Sequence, residues 1–287
     1  MENKKTRVAI AHGDTNSAEF KLTKATLADP NLMELCTPVM YDITQQEGIQ
    51  QLVEGFKQES FEAVVITPQK GQATTKQVVD SISKALDAQQ PGMIMMLAED
   101  VRIAVATNSN ATTEQISRDL QTLHLSIKRD FRISNPRIAL LATSSKEDNV
   151  ITPAIKQLCD QSVQVYGPYA AGDFFANRRH MEFDGLLVMD KDQGLNHFRN
   201  IVIDDGIVFY ANMPIVITEP AFSAPIETDQ PNETDANEVR QAIYSAIDIA
   251  RHRKEYDKPL ANPLKKLYKD RRDDSEKVRF NVNKPSN

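Results

Sequence analysis

Short apolar runs alternate along this chain with longer stretches of helical periodicity. The clearest apolar runs are RVAIAHGD, FEAVVITP, PRIALLATS and FDGLLVMD. Each ends in polar or turn-forming residues, which is typical of a buried strand that delivers side chains to the edge of a sheet. The longest helical stretch runs from 112 to 131, where Ile116, Leu120, Leu123 and Ile127 recur at three- and four-residue spacing.

The same two patterns predict the remaining elements. Further strands are predicted in TPVMYDI, GMIMMLAED, VRIAVATN and PIVITEP, and NIVIDDGIVFYA is predicted to form two short strands about an Asp-Asp-Gly turn. Further helices are predicted in SAEFKLTKATLADP, which Pro30 closes, in TQQEGIQQLVEGFKQES, QVVDSISKALDA and VITPAIKQLCDQS, and from about Asn237 to Tyr256. Strands that alternate with helices predict a largely parallel α/β sheet, and its hairpin interruptions favour two α/β domains with a cleft between them.

Two polar segments interrupt or end this pattern. Residues 225–237, PIETDQPNETDAN, contain two prolines and several acidic residues, and are predicted to form an exposed loop. Residues 261–287 carry dispersed charges of both signs and are predicted to form a surface arm or a disordered tail.

Composition and charge narrow the class of protein. The chain has 287 residues, 40% of them hydrophobic, and a formal net charge of −6 with a pI near 5.5. Because nucleic-acid binding needs a basic face, no nucleic-acid partner is expected. The chain has no apolar run of about 18 residues and no signal-peptide core, so no membrane partner is expected. Two cysteines without metal-like spacing, Cys36 and Cys159, fit the reducing cytoplasm, and both are predicted to be buried.

Several stretches together resemble one family, in the same order along the chain. They are VRIAVATN, KRDFRISNPRIALLA, GPYAAGDFF, FDGLLVMDKDQGL, DDGIVFYANMPIVIT and RQAIYSAIDIARHRKEYD. They resemble the NAD- and metal-dependent 4-hydroxythreonine-4-phosphate dehydrogenases of vitamin B6 (pyridoxal phosphate) synthesis, and the match is nearly continuous from Met93 to Lys266.

The resemblance implies an architecture and an assembly. The implied fold is a pair of α/β/α domains like that of isocitrate and isopropylmalate dehydrogenases, in a homodimer whose site lies in the interdomain cleft and is completed by the partner subunit. The first domain would comprise residues 1–100 and 220–260, and the second, with the dimer contacts, residues 101–219. Residues 261–287 would form the charged arm or tail. NAD would be the cofactor by resemblance.

The chain departs from this family where the metal would bind. The family holds a divalent metal with three histidines, and the matching positions here are Ser109 (or Asn110), Lys146 and Lys191. An ammonium has no lone pair for a metal, and a serine or asparagine oxygen does not restore the set. A divalent metal is therefore not expected.

The substrate positions that the resemblance implies have changed as well. A family lysine falls on Arg199, an asparagine on Val208, an arginine on Ile217 and a histidine on Phe222, and Lys70 is the counterpart of a phosphate-side lysine. Asp192, Gln193 and Gly194 keep the end of one motif. The family's glycine-rich and G-H-T segments are reduced or deleted.

These changes lead to two functional hypotheses. The first is a catalytically degenerate homologue that binds a phosphorylated metabolite or a protein partner, with Lys146, Lys191, Asp192, Arg199 and Lys70 as candidate anion-binding residues and no identified catalytic residue. The second is an active NAD-dependent oxidoreductase on 4-hydroxythreonine-4-phosphate or a related phosphorylated hydroxy acid. A purely structural subunit ranks third.

Simpler interpretations exist for the charged residues and the histidines. Lys191 would pair with Asp190 or Asp192, which would alternate along an extended chain, and Lys146 would pair with Glu147 or Asp148; these ion pairs are the favoured interpretation. His12 is predicted to be a hydrogen-bonded turn residue, whereas His124, His180 and His252 are predicted to be structural or solvated. No GxGxxG or GxxxxGK[ST] occurs, but this family does not bind NAD through that fingerprint.

Overall fold

The computed structural model describes residues 5–67, 75–88, 92–98, 101–108, 111–142, 148–201, 206–221 and 233–261. The strands in this part of the chain are β1 (Thr6–His12), β2 (Cys36–Asp42), β3 (Ala63–Ile66), β4 (Met93–Ala98), β5 (Val101–Val105), β6 (Arg137–Ala142), β7 (Gln164–Ala170), β8 (Gly185–Val188), β9 (Ile207–Ala211) and β10 (Val216–Pro220). The helices are α1 (Ala18–Leu27), α2 (Pro30–Leu35), α3 (Gln46–Lys57), α4 (Thr75–Ala85), α5 (Thr113–Asp130), α6 (Asp148–Cys159), α7 (Ala171–Ala176), α8 (Lys191–Ile201) and α9 (Glu233–Ala261), and a 3-10 turn spans Arg179–Glu182.

One sheet of ten strands runs through the described residues, in the order β2-β1-β3-β10-β9-β4-β5-β8-β6-β7. The pairs at both ends of the sheet are parallel, whereas β10 with β9, β9 with β4, and β4 with β5 are antiparallel. Two parallel halves of opposite direction therefore meet at the central strands β9 and β4. The predicted domain bounds do not coincide with this junction, because they assign β9 and nearly all of β10 to the second domain, whereas these strands lie between β3 and β4 of the first. The division into two domains stays a prediction.

Helices cover both faces of the sheet. On one face a single apolar cluster joins the sheet to α1, α2, α5, α6 and α9. On the opposite face there are two clusters, one beneath α3 and α4 and one beneath α7 and α8. The amphipathic pattern predicted α5 well: Thr112 caps it in a reciprocal capping box with Gln115, and the four apolar residues of the stripe are all buried. The gap between the two clusters leaves a cleft above the central strands.

Four sequence predictions are wrong in detail. The chain after β8 is helical from Lys191 to Ile201, so Asp192 lies in the first turn of a helix and Asn200 in its last turn, not in a strand. Pro30 begins α2 as its first residue and does not simply close α1, because Asp29 caps the new helix. The last helix begins at Glu233, inside the predicted loop 225–237. Cys159 is exposed, whereas Cys36 is buried as predicted.

Some predictions concern residues outside the described ranges. They include the Asp-Asp pair of the 204–206 turn, most of the loop 225–237, and nearly all of the arm or tail 261–287. Among the described helices, none is both long enough and apolar enough to cross a membrane.

A buried ion pair joins α5, α9 and the turn between β9 and β10. The Arg253 guanidinium donates through Nε to Asp130 at 2.6 Å and through Nη1 to the carbonyl of Met213 at 3.0 Å. Ser126 also donates to the Asp130 carboxylate at 2.6 Å. The side chains of Arg253 and Asp130 are 7% and 2% exposed, so each charge depends on the other for solvation.

Replacing Arg253 with Met should therefore destabilise the protein strongly. The change leaves the Asp130 carboxylate buried without its cation, and we expect the free energy of unfolding to fall by about 3–5 kcal/mol. Arg132→Met is the matched control, because Arg132 pairs with Glu255 and both side chains are more than half exposed. That change should cost less than about 1 kcal/mol in chemical denaturation. Equal losses in the two variants would contradict this account of the buried pair.

Candidate functional site: a cleft between two helices

A cavity of about 320 Å³ opens above the central strands, between α4 and α8. Its floor includes Ile94 of β4 and Tyr210 of β9. Its remaining lining comes from α4, from the start of β4 and from the ends of β5 and β8: Val79, Asp80, Gly92, Met93, Val105, Ala106, Thr107, Met189 and Lys191. An acidic residue of α4, Asp80, and the first residue of α8, Lys191, thus both line the cavity.

Lys191 brings the positive charge to this cavity. It is the first residue of α8, directly after the buried strand β8, and its side chain is exposed. The ion pairs between described side chains do not include Lys191 with Asp190 or Asp192, so the ion-paired interpretation of this lysine is wrong there. Lys191 is one of the residues that line the cavity.

The structure brings only part of the predicted anion-binding set together. Asp192 and Arg199 are described and exposed, in the first and last turns of α8, but neither lines the cavity. Outside the described residues lie Lys70, Ser109, Lys146 and Phe222. The proposed partners of Lys146 lie outside them as well, Glu147 entirely and Asp148 in its side chain. Lys191 is therefore the one predicted residue, of those described, at the cavity.

None of the five histidines lines the cavity, and all five are described. His12 closes β1, where its Nδ1 lies 3.0 Å from the carbonyl oxygen of Gly13 and its ring contacts Phe20. His252 Nδ1 lies 2.8 Å from the Asp130 carbonyl oxygen, which confirms the structural role predicted for it. His197 stacks on Phe175, and burial lowers the pKa of His124 and His180.

Thr107 is held in place on the cavity wall by a buried carboxylate. The backbone N–H of Thr107 donates to Asp119 Oδ2 at 2.9 Å, and its hydroxyl lies 3.1 Å from both carboxylate oxygens. Asp119 projects from α5 and is 4% exposed, and its burial raises its pKa. The segment that follows β5 is thereby fixed against α5.

Beneath the cavity lies a buried polar pair that the sequence analysis missed. Tyr210 donates from its hydroxyl to Glu219 Oε1 at 2.7 Å, and Thr75 at the start of α4 also hydrogen-bonds the Glu219 side chain. Tyr210 is 4% and Glu219 is 9% exposed. Burial raises the pKa of Glu219, which the positive charge of Lys191 partly opposes, and burial raises the pKa of Tyr210 as well. A glutamate inside the apolar run PIVITEP was the signal that could have revealed this pair.

A family model described as pyridoxal phosphate biosynthetic protein PdxA matches residues 43–246. This chain belongs to the PdxA family. The relative in Bacteroides thetaiotaomicron, a 4-hydroxythreonine-4-phosphate dehydrogenase, is 26% identical over 360 aligned residues that cover 98% of this chain and 99% of that protein. The relative of the same description in Acidithiobacillus ferrooxidans is 26% identical over 183 residues, which cover 57% of this chain and 55% of that protein.

Solved structures show the same fold. The 4-hydroxythreonine-4-phosphate dehydrogenase from Klebsiella pneumoniae aligns with a TM-score of 0.67 at 13% identity, over 87% of this chain and 99% of that chain. The EutD phosphotransacetylase from Staphylococcus aureus aligns with a TM-score of 0.54 at 12% identity, over 87% and 95%. At such identities the likeness concerns the fold alone. The predicted family and the predicted α/β fold class, like that of the PdxA dehydrogenases, are confirmed.

The PdxA resemblance can now be compared with the cleft floor. Val208 and Ile217, the counterparts of the family's asparagine and arginine, lie on the same face of the sheet as Tyr210 and Glu219. Val208 pairs directly with Glu219 across β9 and β10. On this face of the sheet, apolar residues thus stand at the two positions that the resemblance assigns to polar residues, and Tyr210 and Glu219 lie two residues farther along each strand.

The family motif residue Gly194 is explained by packing. A Cβ at this position would lie 2.7 Å from Cγ2 of Val188, a stiff and buried side chain of β8. Gly194 therefore allows α8 to lie close against the sheet, which places Lys191 at the cavity. Metal or substrate chemistry is not needed to account for it.

Gly194→Ala should consequently displace α8 and destabilise the protein, by about 1–3 kcal/mol as for other overpacked sites. Gly172→Ala in α7 is the matched control, because nothing lies within 4 Å of its added Cβ. That helical change should be neutral or stabilising by up to about 1 kcal/mol. Thermal unfolding of both variants measures the difference, and a neutral Gly194→Ala would contradict the close packing.

Glu219→Gln should change the pH dependence of stability. Because the pKa of Glu219 is raised in the folded protein, the folded state binds this proton more tightly than the unfolded state. The resulting stability is present below the ordinary glutamate pKa of about 4.3 and is lost as pH rises through the folded-state value. The variant should therefore gain stability relative to the wild type as pH rises through this range, measured by urea unfolding. Glu34→Gln, an exposed change on α2, controls for loss of one carboxyl group. Parallel wild-type and Glu219→Gln profiles would contradict the assignment.

Proposed function

We propose that this protein is a PdxA-family member that has lost the metal-dependent dehydrogenase reaction and retains a cleft that binds a phosphorylated small molecule. The observation that supports it is the position of Lys191. Lys191 lines the cavity at a position where the family resemblance implies a metal-binding histidine, and no histidine of the chain lines that cavity.

The donor set does not fit a divalent metal of the kind that the family implies. Zinc and related ions take imidazole nitrogen, thiolate or carboxylate ligands, and a protonated amine offers none of these. Among the described residues there is no group of three histidine, cysteine or acidic side chains that could hold an ion. At the two other implied positions the sequence has Ser109 (or Asn110) and Lys146.

The replacement keeps one property of the metal and loses another. A lysine supplies positive charge, which attracts a phosphate group as a point charge. It does not supply Lewis acidity, so a bound alcohol would not be polarised for hydride transfer to NAD. Phosphate binding without oxidation is the chemistry that this cavity supports best. The proposal includes the homodimer and the cytoplasmic location that the sequence predicts, and sedimentation velocity would measure the former.

The test is binding of 4-hydroxythreonine-4-phosphate, the substrate in the relatives' names, in the presence of EDTA. We expect a higher melting temperature with this compound alone; at about 100 times Kd a ligand adds roughly 2.7 kcal/mol. Lys191→Ala should weaken binding at least about fivefold through loss of the charge-assisted contact. Lys24→Ala, an exposed change on α1, should leave it unchanged.

Each alternative result would overturn a stated part of the proposal. Stabilisation that requires zinc and NAD together, with formation of NADH, would mean that the enzyme is an active dehydrogenase. If no condition stabilises the protein, the proposal that the cleft binds a phosphorylated ligand is wrong. Equal affinity of the wild type and Lys191→Ala would mean that Lys191 does not take part in ligand binding.

A further inference from the structure

Glu219 is a buried acid that is not bonded to a cation. It is 9% exposed, and the ion pairs between described side chains do not include it. Its hydrogen-bond partners are two hydroxyl groups, that of Tyr210, which donates to Oε1 at 2.7 Å, and that of Thr75 at the start of α4. Burial disfavours the ionised form of a carboxyl group, whereas a nearby positive charge favours it. The protonation of Glu219 therefore depends on charges that are not in contact with it.

Lys191 supplies a positive charge that acts on Glu219. Burial raises the pKa of Glu219, and the hydrogen bonds with Thr75 and Tyr210 and the positive charge of Lys191 partly oppose that rise. Lys191 and Glu219 do not form an ion pair, so this effect acts through space. Such an interaction is weakly screened when one of the two groups is buried.

The other described groups around Glu219 do not add a positive charge. Asp80 of α4 lines the cavity and is acidic, and burial, Glu219 and Asp80 all raise the pKa of Tyr210. The strand β3, which pairs with β10, comprises Ala63–Ile66 and has no titratable side chain. The helix α9 packs on the opposite face of β10, where Thr218 donates to a carbonyl group of that helix at 2.9 Å.

The cavity connects Lys191 with the surroundings of Glu219. It is lined by Lys191 and by Tyr210, whose hydroxyl is bonded to Glu219. A phosphate group bound at Lys191 would offset the positive charge of the lysine and bring negative charge of its own. Both changes favour the neutral form of Glu219. Ligand binding and the protonation of Glu219 are then thermodynamically linked.

We infer that Glu219 is a proton-binding site coupled to the cleft, which takes up a proton when a phosphorylated ligand binds at Lys191, so that the affinity for the ligand increases as pH falls. The inference rests on the proposed function and adds the regulation of the same site by pH. Glu219 would act through Lys191 and Tyr210, without contact with the ligand.

The direction of the linkage follows from the charges. At a pH below the pKa of Glu219 in the ligand-free protein, this residue is already protonated, and the ligand binds at its full affinity. As pH rises through that pKa, binding has to draw a proton from solvent, and the affinity decreases. The decrease ends above the still higher pKa of Glu219 in the complex, where Glu219 remains charged in both states.

The first test compares the affinity of the wild type and Glu219→Gln for 4-hydroxythreonine-4-phosphate between about pH 5 and 9, a range that includes the pKa values of buried glutamates. Glutamine is neutral throughout and can keep both hydrogen bonds. The two proteins should bind equally at the acidic end, and the variant should bind about threefold or more tightly than the wild type at the basic end. Titration calorimetry measures this ratio, in which the ionisations of the ligand cancel. Glu34→Gln, an exposed change on α2, should follow the wild type.

A purely structural role of Glu219 predicts the opposite result. Damage to the cleft floor would weaken binding at every pH, whereas loss of the coupled charge strengthens it at high pH alone. Calorimetry of the wild type in two buffers of different ionisation enthalpy should also show proton uptake beyond that of Glu219→Gln. An equal number of protons in the two proteins would overturn the inference.

The second test needs no ligand, because Lys191→Met removes the same positive charge. The titration of Glu219 is followed by the carbon-13 resonance of its carboxyl group, which is identified by its absence in Glu219→Gln. The midpoint should move upward by on the order of one pH unit in Lys191→Met. Lys24→Met, an exposed change on α1, should leave the midpoint in place.

The outcomes separate this inference from the proposed function. Parallel affinity profiles of the wild type and Glu219→Gln would overturn the inference while the proposed function stands. If 4-hydroxythreonine-4-phosphate does not bind, the proposed function fails, and an unchanged midpoint in Lys191→Met would overturn the coupling as well. Tyr210→Phe serves if Glu219→Gln does not fold, because loss of a hydrogen bond to the charged carboxylate should move the proton uptake to higher pH. Uptake at the same pH as in the wild type would exclude Glu219 as its source.

Discussion

The antiparallel pairing at the centre of the sheet determines where this protein can have a site. Parallel neighbours need a crossover, usually a helix, whereas antiparallel neighbours can be joined by a short turn. Here residues 99 and 100 alone separate β4 from β5, and four residues separate β9 from β10. No crossover helix is thus available to cover the central strands on the face where α4 and α8 lie. The cavity above Ile94 and Tyr210 follows from this connectivity.

The same constraint places charged groups where they are difficult to solvate. The opposite face is closed by α5 and α9, whose contact is held by the buried pair of Asp130 and Arg253. With that face closed, polar groups on the central strands can reach solvent or a ligand only through the cleft. Glu219 projects to the cleft side, and this explains why a strand residue is coupled electrostatically to Lys191 at the start of α8. The strand connectivity that forms the cavity therefore also accounts for the electrostatic coupling between Glu219 and Lys191.

The sequence pattern predicted the parts of the structure in which a single physical signal dominates. The apolar stripe of α5 predicted that helix almost to the residue, and the apolar runs located the buried strands. The helix α8 was missed because its first turn, KDQG, is polar and contains glycine, which is unfavourable in a helix interior. Contact with β8 supplies what local propensity lacks.

The site was only partly predictable for a related reason. Lys191 could be placed at a sheet edge because it follows an apolar run, and the structure puts it on the cavity wall. The pair of Tyr210 and Glu219 depends on the register of β9 against β10, where Glu219 faces Val208 and lies diagonal to Tyr210. Register is a tertiary property, and the spacing of residues along one strand does not reveal it.

The residues that this chain shares with its family differ in what they say about function. Gly194 is required because any side chain there would collide with Val188, so its retention follows from packing and would persist in a protein without catalysis. Asp192 is exposed in the first turn of α8, where a carboxylate stabilises the helix N-terminus by interacting with its dipole. Neither shared residue requires a metal or a nicotinamide. Lys191 and Tyr210 line the cavity, and Glu219 lies behind Tyr210. Lys191 differs from the family pattern, and that pattern assigns no role to Tyr210 or Glu219. The cleft is therefore better understood from its own residues than from the residues that the chain shares with its family.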